Sequence, residues 1–152
     1  MGKKGSKKLS EELLGAWMEM SMGIKGNRIL RTLSFNEMVI CRLIAAAEEE
    51  GATITATDVC RQTRLLKSQV NKVLTELEQK GLIYRDRDSA DKRRIFLRFR
   101  EENKHIYLEE HAHVISLVEQ VCDRLGKDES KSLVKRMNKV VAIMDEISDT
   151  EE

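Results

Sequence analysis

The sequence predicts a mainly α-helical fold with one small β-hairpin, and three observations support this prediction. The 152 residues include no proline, so long helices can continue without interruption. Apolar residues recur at helical spacing along several long segments. Two short runs, 82–85 and 95–99, have the composition of strands and enclose a polar loop. Together these features fit a single helical domain with one hairpin.

The N-terminal segment predicts a basic flexible tail followed by an amphipathic helix. Residues 1–8 carry four lysines but no apolar core of a secretory signal. No apolar run approaches the roughly 20 residues needed to cross a bilayer, so a cytoplasmic protein is expected. Residues 9–22 place apolar side chains on one helix face, before Gly23 and Gly26 interrupt the pattern. The side chains on this face are Leu9, Leu13, Leu14, Trp17 and Met18.

The next segment predicts a helix, a short strand and a short helix. Ser34 followed three residues later by Glu37 is a capping box, which predicts a helix from there to about Glu50. Residues 53–55 predict a short extended strand, since they are β-branched and lie between two helices. Residues 58–63 predict a short helix that buries one apolar side.

The C-terminal third predicts two long helices, over 102–126 and from 128 onward. Each carries apolar residues at alternating spacings of four and three, a pattern that packs one helix against another. The final helix has little within one small domain to cover its seam, so a homodimer through the terminal helices is expected. The first seam contains Tyr107, His111, Val114, Val118, Val121 and Leu125, and the second contains Leu133, Met137, Val140, Met144 and Ile147.

Charge is distributed unevenly along the chain, although the net charge is only +1. Residues 53–100 contain 12 Lys and Arg against 6 Asp and Glu, a net charge of +6. The remaining residues contain 15 against 20, a net charge of −5. A basic middle segment between acidic flanks indicates contact with a polyanion, and the alternative is a solvated charged face.

The middle segment predicts a winged helix-turn-helix, in which a short helix, a turn and a longer helix precede a basic hairpin. The longer helix, 66–80, separates an apolar arc from a polar face that is concentrated in its N-terminal half. Such a polar face suits base edges and phosphates, and the alternative is an ordinary amphipathic surface helix. The hairpin loop, 86–94, holds seven charged residues in nine. The polar face contains Ser68, Asn71, Lys72 and Thr75, with Gln69 at its side.

Residues 63–83 resemble the recognition helix of the MarR family of regulators. The resemblance includes the closing signature "LExKGLI", present here as Leu77 to Ile83. Asp91 to Arg94 is similar to the "DxR" motif of that family's wing. Leu33-Ser34 with Glu37-Met38 resembles the start of its second helix. The order of elements matches over almost the whole chain, from about residue 9 to 147.

This resemblance implies a DNA-binding region over 34–100 and a dimerisation region over 9–33 and 102–148, within one domain spanning 9–152. It also implies that Arg93 enters the minor groove while Asp91 orients its guanidinium group. Recognition-helix contacts are expected from Lys67, Ser68, Gln69, Asn71 and Lys72, and wing contacts from Asp91, Lys92, Arg93 and Arg94. Thr55, Thr57 and Arg64 are candidate phosphate contacts.

The sequence departs from the family pattern beside the recognition helix. Leu66 stands where the family often has a Ser that caps this helix. Arg64 replaces a frequent Gly in the preceding turn. Both changes concern the local geometry of the turn rather than the fold.

A small-molecule effector site is a further expectation from the resemblance. Its candidate lining is Trp17, Met18, Met38, Tyr107 and His111, and the alternative is that these soft residues are apolar core or dimer contacts.

Neither a metal nor another cofactor is predicted. His105, Glu109 and His113 share one helix face, but the two histidines are about 12 Å apart along the axis, too far to hold one ion. A polar surface face is the simpler interpretation, and the alternative is that a pair spaced i, i+4 holds an ion with a further ligand from elsewhere. Cys41 and the other two cysteines, Cys60 and Cys122, form no CxxC motif and are predicted to be structural, with redox sensing as the alternative.

The sequence therefore predicts a transcriptional regulator that binds double-stranded DNA sequence-specifically. The resemblance implies a ligand-responsive repressor that binds a palindromic operator as a homodimer. No arrangement of residues typical of a catalytic site is recognisable, so an enzyme is not expected. The alternative is a winged-helix protein-interaction module without DNA binding, and the charge of +6 over residues 53–100 argues against it.

Overall fold

The structure is a computed structural model that describes residues 2–26 and 29–150. It is mainly helical with one two-stranded antiparallel sheet, as predicted. Every helix within residues 2–26 and 29–150 is too short or too polar to span a lipid bilayer. In chain order the elements are α1 (Gly2–Lys25), α2 (Phe35–Glu49), α3 (Ala56–Thr63), α4 (Lys67–Gln79), β1 (Ile83–Arg87), β2 (Ile95–Phe99), a 3-10 turn (Glu101–Asn103), α5 (Lys104–Leu125) and α6 (Lys127–Thr150).

The first helix is longer than the sequence pattern suggests. Residues 2–8, predicted as a flexible tail, are the first turns of α1, while Met1 lies outside the described residues. No proline or other strong stop occurs there, so a helix begun at residue 9 can extend toward the N-terminus. Gly23 also lies inside α1, because a single glycine costs only about 1 kcal/mol in a helix. The helix ends at Lys25, and the N–H of the next residue, Gly26, donates to the carbonyl of Met22 at 2.8 Å.

The predicted capping box at the start of α2 is confirmed. The hydroxyl of Ser34 accepts from the N–H of Glu37 at 3.2 Å, and the Glu37 carboxylate accepts from the N–H of Ser34 at 2.9 Å. Thr55 and Asp58 form the same reciprocal pair at the start of α3. Reciprocal caps satisfy N–H groups that a helix start would otherwise leave unpaired, and they fix where both helices begin.

The sheet contains two strands rather than the three predicted. β1 and β2 pair in antiparallel register from Ile83 opposite Phe99 to Arg87 opposite Ile95. Residues 53–55, predicted as a strand, contribute a single bridge in which Thr55 pairs with Phe96. The prediction was wrong because Thr55 is also the N-cap of α3, so the chain turns into that helix after one pairing.

The core lies where α2, α3 and α4 pack with the hairpin. This packing fixes α4 and both strands relative to each other, so the surfaces that they present to solvent are held in place. The largest fully buried side chains are Ile40, Cys41, Ile44, Val59, Val70, Leu74, Leu77, Leu82 and Ile83.

A buried carboxylate holds the segment that precedes α2. Glu110 of α5 is 4% exposed, and its two carboxylate oxygens accept from the backbone N–H groups of Arg31 and Thr32 at 2.6 and 2.9 Å. The carboxylate thus fixes two backbone groups that lie outside any helix or strand.

The chain divides into two compact units, residues 1–112 and 113–152. The second unit contains the C-terminal part of α5 and all of α6, and no described residue in it is buried. Large apolar side chains are exposed along α6: Leu133, Val134, Met137, Val141, Ile143, Met144 and Ile147. In the first unit, α1 similarly exposes Leu9, Leu13, Leu14, Trp17 and Met18. The predicted division into DNA-binding and dimerisation regions stays a prediction.

Candidate nucleic-acid interface

The turn between α3 and α4 contains a residue in a left-handed conformation. Arg64 ends α3 with φ 58° and ψ 15°, and its N–H donates to the carbonyl of Cys60 at 2.9 Å. Among the described residues it is the only non-glycine with positive φ. This conformation is strained for a residue with a Cβ atom, whereas glycine adopts it readily. Arg64, which stands where the resemblance leads us to expect Gly, therefore adopts a left-handed backbone conformation.

The start of α4 lacks a capping side chain of the usual kind. Leu66 is the N-cap residue, and its side chain cannot accept a hydrogen bond. Instead the side-chain oxygen of Gln69 accepts from the N–H of Leu66 at 3.0 Å, which is half of a capping box. Gln69, predicted as a DNA contact, thus also stabilises the beginning of the helix.

The predicted division of α4 into a buried and a polar face is confirmed. Val70, Val73, Leu74 and Leu77 are buried against the core. On the other face Lys67, Ser68, Gln69 and Lys72 are exposed, and Asn71 is half-buried. All five predicted recognition-helix residues therefore lie outside the buried face of α4.

The hairpin loop is organised by two aspartates. The N–H of Asp88 donates to the carbonyl of Arg94, and the N–H of Arg94 donates to the carbonyl of Asp91, both at 3.0 Å. The carboxylates of Asp88 and Asp91 each accept from a backbone N–H two residues later, that of Ala90 at 2.9 Å and that of Arg93 at 3.0 Å. These are local side-chain turns of the kind that aspartate favours.

The structure shows a backbone contact of Asp91 in addition to the role expected for it. Its carboxylate accepts from the backbone N–H of Arg93, and the expected orientation of the Arg93 guanidinium group stays a prediction. Because the two residues are only two positions apart, this hydrogen bond stabilises the turn between them. The conformation of that turn sets where the Arg93 side chain begins.

The cations of this region fall into two groups. Some are held by the protein itself: Arg85 pairs with Glu78 at 2.7 Å, Arg98 pairs with Asp86 at 2.8 Å, and Arg94 lies over the ring of Phe96 with 5.3 Å to its centroid. Others are exposed and, within the part of the chain described, form no ion pair with a carboxylate. This second group contains Lys67, Lys72, Lys92 and Arg93.

A groove of about 440 Å³ joins α3, α4 and the hairpin. It brings together six of the predicted site residues from distant parts of the chain: Thr55, Thr57, Lys67, Asn71, Arg93 and Arg94. Arg85 also lines it, although sequence reasoning missed this residue. Its position in the sequence could have indicated this. Arg85 lies two residues before Arg87, so in a strand both side chains lie on the same face.

Two residues that line this groove, Thr55 and Asp58, are hydrogen-bonded to each other. The hydroxyl of Thr55 donates to the Asp58 carboxylate at 2.9 Å, so it is engaged within the protein rather than directed at a phosphate. The N–H of Thr55 is the main group that holds the pKa of Asp58 below its usual range, with help from the charges of Arg61 and Arg94. Asp58 is thus ionised at neutral pH, and its negative charge stabilises the start of α3.

Within residues 2–26 and 29–150, the candidate effector residues lie in three different environments. A cavity of about 670 Å³ lies between α2 and the first turns of α5, and Tyr107 and His111 contribute to its lining. Met38 is instead buried in the core, and Trp17 and Met18 lie on the exposed face of α1. The other lining residues are Arg42, Leu43, Ala45, Ala46, Glu49, Glu101, Lys104 and Leu108.

The histidines and cysteines show no sign of a shared site. Among the described residues no group of three or more His, Cys, Asp or Glu side chains is placed to hold a metal ion. All three cysteines are free, and Cys41 is completely buried. Burial raises the pKa of Cys41 to about 12, with a smaller contribution from Glu37, so its thiol stays protonated at neutral pH.

Comparisons with known proteins agree with this geometry. The model of the MarR family matches residues 33–94. The HTH-type transcriptional regulator FarR of Neisseria gonorrhoeae is 28% identical over 109 residues, which is 72% of this chain and 72% of that protein.

Solved structures share the fold. FabT of Streptococcus pneumoniae, crystallised in complex with DNA, has a TM-score of 0.70 at 20% identity, with 93% of this chain and 99% of that chain covered. PcaV of Streptomyces coelicolor, in complex with its natural ligand, has a TM-score of 0.69 at 17% identity, with 85% and 89% covered. The fold predicted from the sequence, a winged helix-turn-helix, is thereby confirmed.

Proposed function

We propose that the chain is a transcriptional regulator of the MarR family, and that it acts as a ligand-responsive repressor that binds a palindromic operator as a homodimer. The observation that carries the proposal is the single surface formed by α4 and the hairpin. Four exposed cations and the groove with Asn71 lie on it, close to the buried core that keeps both elements in place. A regulator of this kind works in the cytoplasm with the DNA that it binds, and the proposal assigns it no catalytic role.

The geometry suits a duplex with two kinds of contact. The exposed face of α4 presents amide, hydroxyl and ammonium groups, which can hydrogen-bond base edges in the major groove. The exposed guanidinium of Arg93 at the hairpin suits the narrow, negative minor groove beside it. Lys67, Lys72 and Lys92 add positive charge toward the phosphates, which increases affinity for any DNA sequence.

Association of two chains is supported by the unburied apolar side chains of α1 and α6. On α6, side chains such as Met137 and Ile147 are 42% and 55% exposed, and no described residue of that helix is buried. Apolar area of this extent on a helix is typical of an interface. A two-fold symmetric dimer presents two equal DNA-binding surfaces, which favours a palindromic operator.

Response to a small molecule is supported by the cavity between α2 and α5. Charged and aromatic groups, among them Arg42, Lys104 and His111, line it beside apolar side chains. Lys104 pairs with Glu48 of α2 at 2.7 Å and lies over the ring of Phe99 at the end of β2. A ligand in this cavity would therefore touch groups that connect α2 with the hairpin.

The experiment that tests DNA binding compares two double variants of equal charge. Lys67→Ala/Lys72→Ala removes two cations from the proposed surface, and Lys127→Ala/Lys131→Ala removes two exposed cations from α6. Mobility shifts are measured on a duplex selected from random-sequence DNA, at two salt concentrations. The first variant should lose affinity and show a weaker salt dependence, while the second should bind as the wild type does. Equal losses in both variants would contradict the proposed surface.

A further inference from the structure

Leu66 is mostly exposed, unlike the apolar residues on the buried face of α4. The residue is 68% exposed, whereas Val70, Leu74 and Leu77 are fully buried. An exposed leucine gains none of the burial energy that the core leucines gain. Its presence at this position is therefore not explained by the stability of the domain.

Leu66 also provides no side-chain cap for the start of α4. The N-cap residues of α2 and α3, Ser34 and Thr55, both accept a backbone hydrogen bond through their hydroxyls. Leu66 is the N-cap of α4 and cannot do so, and Gln69 supplies only the other half of the box. Ser, Thr, Asp and Asn are the favoured residues at an N-cap, so an apolar side chain here weakens the helix start.

The surroundings of Leu66 point to DNA rather than to the protein core. It directly precedes Lys67, which lines the groove with Asn71 and Arg93, and Lys67, Ser68 and Gln69 after it are all exposed. An N-terminal residue of a recognition helix lies at the depth of the base edges when the helix occupies the major groove. One base edge there is apolar, since thymine carries a C5-methyl group.

We propose that Leu66 contacts a thymine C5-methyl group in each half-site and thereby contributes to operator specificity. This inference rests on the proposed DNA-binding function and assigns a base to one residue of that surface. The contact would replace the hydration of both apolar groups, so it favours thymine over cytosine and over uracil.

The test removes the methyl group without changing base pairing. An operator is selected from random-sequence duplexes with the wild-type dimer, and each thymine of one half-site is replaced in turn by deoxyuridine. For the wild type, one position should weaken binding about four-fold, the factor that corresponds to one buried methyl group. Leu66→Ala should bind the thymine and uracil operators equally, and Leu66→Met should retain the preference because it keeps an apolar side chain.

Three outcomes decide the proposal. A uracil effect at one position that disappears in Leu66→Ala supports it. Tight, sequence-selective binding in which no uracil substitution distinguishes wild type from Leu66→Ala overturns it and leaves the proposed function intact. Failure of the wild type to select any sequence would overturn the DNA-binding function itself. Melting curves of the variants check that the folded state is unchanged, which the exposure of Leu66 predicts.

Discussion

The carboxylate of Asp91 accepts a hydrogen bond from the backbone N–H of Arg93 at 3.0 Å, within the loop that joins the two strands. The two wing residues that the resemblance pairs are thus linked by a hydrogen bond from the Arg93 main chain to the Asp91 side chain. The position of the Arg93 guanidinium then depends on the conformation of the turn, which the bond stabilises.

Asp91→Ala should weaken DNA binding, but less than Arg93→Ala, because the guanidinium group remains and only the turn becomes less ordered. Amide hydrogen exchange at Arg93 should become faster, since its N–H loses its acceptor. Asp91→Asn keeps a side-chain oxygen and should preserve both the slow exchange and most of the affinity. Unchanged exchange in Asp91→Ala would contradict the role given to this bond.

Arg64→Gly should be more stable to urea than Arg64→Ala by about 1 kcal/mol, because only glycine adopts φ near +60° without strain. The comparison with alanine removes the arginine side chain from both variants, so it isolates the backbone. Gly15 in the middle of α1 is the matched control, since it has helical geometry and open space around it. At Gly15 the order of the two residues should be reversed, so Gly15→Ala should raise the free energy of unfolding by about 1 kcal/mol. A higher stability for Arg64→Ala would be inconsistent with the left-handed turn.

Cys41 should make the protein less stable as pH rises above 9. Its thiol has a pKa of about 12 in the folded chain against 9.0 when exposed, so the unfolded state loses its proton first. The folded state then holds more protons, and the free energy of unfolding falls with pH over this range while being fully retained below it. Cys41→Ala should show a shallower decrease between pH 9 and 11 in urea titrations. Equal slopes would mean that the thiol is more accessible than the structure indicates.

Met137→Glu should weaken dimerisation and DNA binding together, because it places a charge among the apolar side chains of α6. The neighbouring residue Asn138 gives the control, because it is exposed and is not one of the apolar residues of the seam. Asn138→Glu adds the same charge as Met137→Glu but leaves every apolar side chain of the seam in place. Sedimentation equilibrium should give about twice 17.5 kDa for the wild type and for this control. A wild-type monomer that bound a palindrome tightly would contradict the proposed interface.

Local signals in the sequence predicted much of this structure. The capping box of Ser34 and Glu37 and the two faces of α4 are consequences of spacing alone, and both were recovered. The 53–55 strand was not, because Thr55 serves at once as bridge partner and helix cap, and only the folded chain decides between these uses. The contact of Asp91 with a backbone N–H was missed for a related reason, since side-chain direction in a turn depends on that turn's hydrogen bonds.

The environments of the candidate effector residues could be predicted only in part from the sequence. Tyr107 and His111 line a cavity, and whether it is an effector site stays a prediction. Sequence spacing could not separate a buried methionine such as Met38 from one that lines a pocket. Both environments favour the same soft, flexible side chain. Only the packing of α2 against the core distinguishes them.

The most direct test of DNA recognition by α4 and the hairpin is a set of binding isotherms for Arg93→Ala and Asn71→Ala. Each is measured on the selected operator and on scrambled DNA, at two salt concentrations. Arg93→Ala should weaken binding to both DNAs by about 1–3 kcal/mol and reduce the salt slope by about one, because its contact depends on groove width and phosphate charge. Asn71→Ala should lose about 1–3 kcal/mol on the operator alone, because its contact depends on the base. If Arg93→Ala left all four affinities unchanged, the hairpin would be an ordinary solvated loop and the account of this surface would be wrong.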